Sequence, residues 1–140
     1  MVERKTYVDV NIFVYWLGAH PEHGESSLRW IRKMEEAPRD TYTTSALTLY
    51  QLPVIISGLT DRTLKDTDTL ASILEPLTSL PGLTIEPFRQ EDATDALRLA
   101  KKYTLDYEDA LHLATAQRAE AKTIISNDKD FDKTPLTRTL

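Results

Sequence analysis

With 140 residues and 15.9 kDa, of which 41% are hydrophobic and 28% charged, the chain fits one globular domain over 1–140 with room for a substantial core. It has no cysteine, which excludes disulfides and thiolate metal sites, and no apolar run near ~18 residues, which excludes a membrane-spanning helix. The net charge of −5 argues against binding nucleic acid through bulk positive charge, yet leaves room for a nuclease, because an acidic metal site contributes several of those charges itself.

The chain starts with Glu3, Arg4 and Lys5 and runs directly into a strand, unlike a secretory signal, so a cytoplasmic protein is expected. "TYVDV" (Thr6–Val10) reads as the first strand, followed by a short helix over Asn11–Gly18 with Asn11 as its N-cap. Leu28, Ile31 and Met34 then recur at helical spacing in a segment that ends near Pro38. Thr41–Thr44 is a second strand, and Ser45–Gly58 a helix with a serine cap and an expected kink at Pro53. A further helical segment covers Thr63–Leu80, bent or broken at Pro76. "LTIEPF" is the third strand; the next helix, "EDATDALRLAKKY", carries Ala93, Ala96, Leu97 and Ala100 on one face. "DYEDALHLATAQRAEA" is another helix, Thr123–Ser126 a fourth strand, and Thr137–Leu140 a short fifth one. Strands alternating with helices predict an α/β fold, a three-layer α/β/α arrangement around a central parallel sheet of 4–5 strands.

In such sheets, functional groups gather outside the carboxyl ends of the strands. Asp9 lies at the end of the first strand and Asp128 just past the fourth, so two carboxylates meet at one rim if these strands are neighbours. Asp106 and Asp109 open the helix between them. Asp106 is suited to the N-cap, and Asp109 then falls in the first turn, where the helix dipole favours negative charge. The small apolar run "ALHLATA" behind it fixes Asp109 on a rigid element beside the core.

Four blocks in order, "VDVN", "SALTLYQL", "EDALHLATA" and "IISNDKDF", make the chain from Tyr7 to about Phe131 resemble the PIN-domain ribonucleases, above all the VapC-type toxins of toxin–antitoxin pairs. The resemblance implies a PIN-like sheet whose rim gathers acidic side chains around Mg²⁺ or Mn²⁺. Matched position by position, it implies Asp9, Asp109 and Asp128 as catalytic metal ligands, with Asn11, Ser126 and Asp130 in support. It further implies an RNA substrate, an antitoxin partner and a homodimer. The second acid of the family, usually a glutamate on the helix after the second strand, is Gln51 here. Glutamine keeps the shape and one carbonyl oxygen but loses the charge and gains an amide donor. Three aspartates still suffice for one hard cation, since Mg²⁺ is commonly held by one or two carboxylates and waters. Two readings therefore stand open: a metal-dependent endoribonuclease, or a PIN-fold module for RNA or protein binding whose catalysis is weakened at Gln51.

Other signals carry less. "NDKDFD" begins like a calcium loop but has Lys133 and Thr139 where that loop needs Gly and Glu. His20 and His23 read as solvent-exposed turn residues, and His112 as hydrogen-bonded to Asp109 or packed at the helix surface. Tyr15, Trp16 and Trp30 are expected in the interior, and Lys101, Lys102, Arg118 and Lys122 as solubilising surface charges.

Overall fold

The computed structural model describes residues 5–140, and its centre is a sheet of short strands, largely buried in its middle and half-exposed at its two edges. Strands β1 (Thr6–Val8), β2 (Tyr42–Ser45), β3 (Leu83–Glu86), β4 (Thr123–Ile125) and β5 (Thr137–Thr139) pair in the order β3-β2-β1-β4-β5, all parallel. Tyr7 of β1 faces Thr43 on one side and Ile124 on the other. The connections run outward from β1 through β2 to β3, then return to β4 on its other flank. The topological switch therefore falls between β1 and β4, where parallel sheets open a crevice at their carboxyl ends.

Helices α1 (Val10–Leu17), α2 (Gly24–Glu36), α3 (Thr48–Leu59) and α4 (Thr67–Thr78) cover one face, and α5 (Gln90–Tyr103) and α6 (Tyr107–Arg118) the other. Because side chains alternate across a strand, Val8 and Ile125 join Ile12, Phe13, Ile31, Met34, Leu52 and Leu77 on the first face. Tyr7 and Ile124 join Ala96, Leu99, Leu113, Phe131 and Leu136 on the second. Each fully buried large aliphatic or aromatic side chain contributes roughly 2 kcal/mol, so these two layers hold the sheet. Buried β2 carries hydroxyls instead of hydrocarbon, and each is satisfied. Thr43 Oγ1 donates to the Thr84 carbonyl (2.9 Å), Thr44 Oγ1 to that of Val8 (2.8 Å), and Ser45 Oγ accepts from the Leu47 amide (3.0 Å). Before β3, Gly82 passes so close to α2 that a Cβ would lie 2.6 Å from the Met34 carbonyl oxygen, so only glycine fits.

Several sequence expectations shift. The first strand stops at Val8, and Asp9, not Asn11, takes the N-cap position of α1 with extended backbone (φ −70°, ψ 147°). The reason is that the Asp9 amide still donates to Ile125 O of β4 (3.0 Å), so the chain turns into helix only after it. Ser45 belongs to β2, paired with Glu86, so α3 starts at Thr48. Neither Pro53 nor Pro76 ends its helix. Burial of Leu52 and Pro53 in one helix, and of Ile73 and Leu77 in the other, outweighs the hydrogen bond that each proline removes. In α5 the inward residues are Asp92, Ala96 and Leu99, while Leu97 is 65% exposed. The rotation is set by Asp92, which accepts from the Arg89 amide (3.0 Å) and from Arg118 Nε (2.8 Å). Arg118 is thus a clamp between α5 and α6 and not a free surface charge. Tyr15, Trp16 and Trp30 are half-buried at the edge of the core.

Candidate active site

Three chain segments deliver acids to the carboxyl-end rim at the switch point. Asp9 follows β1, Asp128 follows β4, and Asp109 sits in the first turn of α6. Asp106 caps α6 by accepting from the Asp109 amide (2.8 Å), as the sequence predicts, which fixes the backbone beneath the Asp109 carboxylate. After β4, Ser126 is wholly buried and works in two directions. Its Oγ donates to Asp9 Oδ2 (2.7 Å) and accepts from the Asp128 amide (3.0 Å). One hydroxyl therefore locks both strand-end aspartates in place. Asp128 Oδ1 in turn accepts from the Asp130 amide (2.9 Å) and opens the 3₁₀ turn Lys129–Lys133.

Asp109, Asp128 and Asp130 each bring one oxygen to within 4.8 Å of the others. Asp9, 3% exposed and turned toward Ser126, stands behind this trio. Asp130 is exposed and also pairs with Lys133 Nζ (3.3 Å). Asn11 lies in the first turn of α1, next to the rim.

The electrostatics report crowding. Burial pushes the Asp9 carboxyl up to about 6 and the Asp128 charge adds to this, against the Ser126 hydroxyl and the Val10 and Asn11 amides, which favour the charged form. Asp109 is raised well above the usual carboxylate range, first by burial and then by Asp106, Asp128 and Asp9. A set of oxygen-only donors whose negative charges oppose one another fits a hard divalent cation, which would relieve that repulsion.

Gln51 does not point idly at the rim. It is 9% exposed, its Oε1 lies 2.6 Å from His112 Nε2, and its Nε2 donates to Glu108 Oε2 (3.3 Å). His112 is 2% exposed and bonded to Gln51 and to the Tyr7 hydroxyl, so it is neither at the helix surface nor a partner of Asp109. Burial lowers its pKa to about 4, against the pull of Glu108 and Asp106, leaving a neutral imidazole. Sequence reading missed Tyr7, His112 and Glu108 as a connected set. The available signal was a histidine inside "ALHLATA", a run otherwise destined for the core. His20 and His23 also differ from expectation. They are half-buried and stacked on each other with Tyr15 alongside, His20 Nδ1 accepts the Glu22 and His23 amides (both 3.1 Å), and His23 Nε2 meets Asn127 Nδ2 (3.2 Å).

The PIN domain family model matches residues 6–136 of the chain. No curated protein sequence matches it. Among solved structures, VapC20 of Mycobacterium tuberculosis, described as a sarcin–ricin loop cleaving toxin, is similar with a TM-score of 0.71 at 12% identity, covering 91% of this chain and 93% of that one. VapBC2 from Rickettsia felis, bound to a DNA fragment from its promoter, gives a TM-score of 0.64 at 20% identity with 96% of each chain covered. A toxin–antitoxin complex from Klebsiella pneumoniae gives 0.62 at 20% identity, covering 95% of this chain and 99% of the other. At these identities the structural likeness speaks for the fold.

Proposed function

The chain belongs to the PIN domain family, and from that premise we propose that it is a metal-dependent endoribonuclease, one domain over 1–140, acting in the cytoplasm as the toxin of a toxin–antitoxin pair. The observation that carries this reading is the convergence of Asp109, Asp128 and Asp130 within 4.8 Å beside buried Asp9, at the switch point of a parallel sheet.

Asp9, Asp109 and Asp128 are the proposed ligands of Mg²⁺ or Mn²⁺, with Asp130 at the outer edge. When bound, such a cation supplies positive charge against the phosphodiester and the negative charge that develops as it breaks. The protein's own part is to hold oxygens in place. Ser126 orients Asp9, the Asp106 cap orients Asp109, and the 3₁₀ turn orients Asp128. His112, with both ring nitrogens engaged in the interior, is not a general base for the reaction.

A toxin needs a cover, and a homodimer needs a face. Tyr50 (67% exposed), Val54 and Leu64 are exposed apolar residues around a groove of about 220 Å³ between α3 and α4, completed by Leu49, Pro53, Leu70 and Leu74. This surface supports an antitoxin segment or a second copy of the chain as partner. The second reading, a module with weakened catalysis, draws on Gln51, the neutral residue at the place of the family's glutamate. Metal affinity separates the two. Mn²⁺ should stabilise the native protein as its concentration passes the dissociation constant, by about 2.7 kcal/mol at a hundredfold excess over it, and so raise its melting temperature. Asp109→Asn should remove that response. No stabilisation of the native protein by Mn²⁺ would overturn the metal site.

A further inference from the structure

Tyr7 and His112 stand one step below the acids, each on the element that carries one of them. Tyr7 lies two residues before Asp9 in extended chain, so both side chains leave the same side of the strand, about 7 Å apart along it. His112 lies three residues after Asp109 on the same face of α6, about 4.5 Å further down the helix. Tyr7 Oη meets His112 Nδ1 at 2.5 Å, and among the described residues this is the one hydrogen bond that joins β1 to α6. The apolar layer around it, Ala110 and Leu113 included, has no direction of its own. The sense of the bond follows from its neighbours. Tyr7 Oη already accepts from the Ser45 amide (3.2 Å) and, as a neutral phenol, has a proton to give. The neutral His112 takes that proton's bond on Nδ1 and carries its own proton on Nε2, which donates to the Gln51 carbonyl oxygen (2.6 Å). The ring is thus held from β1 on one side and from α3 on the other, and the Gln51 oxygen is committed to it.

We propose that His112 is a positioning residue for the cation site: held between Tyr7 and Gln51, it sets where the Asp109 carboxylate stands relative to Asp9. The proposal rests on the reading that this rim takes a divalent cation. Ligands of such a cation have to be held to within about 0.5 Å, and carboxylates gathered at one rim repel one another. A directional bond just below them resists the drift of α6 away from β1 that this repulsion favours. A buried polar group that merely satisfied its neighbours could sit anywhere on the inner side of α6. His112 sits on the face that bears Asp109, and its partner Tyr7 on the side of β1 that bears Asp9. Gln51, 9% exposed, has its place in this arrangement as the support of the ring and not as a donor of oxygen to the cation.

The test separates position from stability. Free Mn²⁺ is measured by electron paramagnetic resonance in titrations of the full chain, with melting temperatures taken alongside. The proteins are the native chain, Tyr7→Phe, His112→Asn, His112→Gln and, as a control in the core on the other face of the sheet, Leu77→Ala. An asparagine oxygen reaches the place of Nδ1 and still accepts from Tyr7, whereas a glutamine reaches the place of Nε2 and loses that bond. Tyr7→Phe and His112→Gln should weaken Mn²⁺ binding by roughly tenfold. His112→Asn should stay within about threefold of native affinity, and Leu77→Ala should melt lower yet bind as the native protein does. Native affinity in Tyr7→Phe overturns the proposal, and so do equal losses in His112→Asn and His112→Gln. Losses that follow the melting temperature in every variant, Leu77→Ala included, overturn it too, because stability alone then accounts for them. If the native protein binds no Mn²⁺ at all, the cation reading itself fails and takes this proposal with it.

Discussion

Asp9 should cost the metal-free protein stability, and replacing it with asparagine should recover that cost. The carboxyl is 3% exposed and raised from 3.8 to about 6, chiefly by burial. A folded pKa above the unfolded one means that the folded state holds its proton more firmly. Stability is therefore highest below pH ~4 and falls as the pH rises through about 6. The full difference is about 3 kcal/mol above that, at roughly 1.4 kcal/mol per pKa unit. Asparagine leaves an oxygen for the Ser126 hydroxyl and carries no charge. Urea denaturation in EDTA should find Asp9→Asn near the native protein at pH 4.5 and about 2–3 kcal/mol more stable at pH 7.5. With Mn²⁺ present the order should reverse, because only the native protein gains from the cation. A stability difference that stays flat with pH, or a variant that loses ground as the pH rises, would refute the claim that the buried Asp9 charge costs the metal-free protein stability.

His112→Gln should remove a pH dependence of the opposite sign. The folded pKa is lowered from 6.5 to about 4, so the native protein loses stability as pH falls from 6.5 toward 4, by about 3 kcal/mol, and calorimetry across that window should show the slope vanish in the variant. Asp92→Ala should cost about 3–5 kcal/mol by leaving Arg118 without its buried partner and α5 without its cap, read as a drop in the denaturation midpoint. Gly82→Ala should destabilise by about 1–3 kcal/mol, since its Cβ would press on the Met34 carbonyl, with the melting temperature as readout.

The alternation of strands and helices was readable from periodicity, and with it the parallel sheet and the strand-end rim of Asp9 and Asp128, whereas Asp109 was matched to that rim only through the family resemblance. Cap chemistry was readable where the capping side chain acts on its own helix, as Asp106 does. It failed at Asn11, because a tertiary bond from the Asp9 amide to β4 decides where α1 begins. The rotation of α5 failed for a related reason. A count of apolar positions selects Leu97, whereas the buried face is set by Asp92 and its partner on a different helix. Gln51 shows the limit most plainly. Sequence comparison makes it a missing carboxylate, while the fold places it between a neutral histidine and a glutamate, a pair of neighbours 61 and 57 residues away in the chain. Patterns along the chain do not reveal such contacts.

An acid rim that holds a divalent cation and cuts RNA with it, as proposed above, should show itself in the test tube. The most direct measurement is Mn²⁺-dependent cleavage of a mixed single-stranded RNA by the native protein, with EDTA and Asp9→Asn as controls against a contaminating nuclease. Fragments should form that require Mn²⁺ and are absent with EDTA and with Asp9→Asn. Cleavage that persists in Asp9→Asn or in EDTA, or no cleavage by native protein loaded with Mn²⁺, would contradict it.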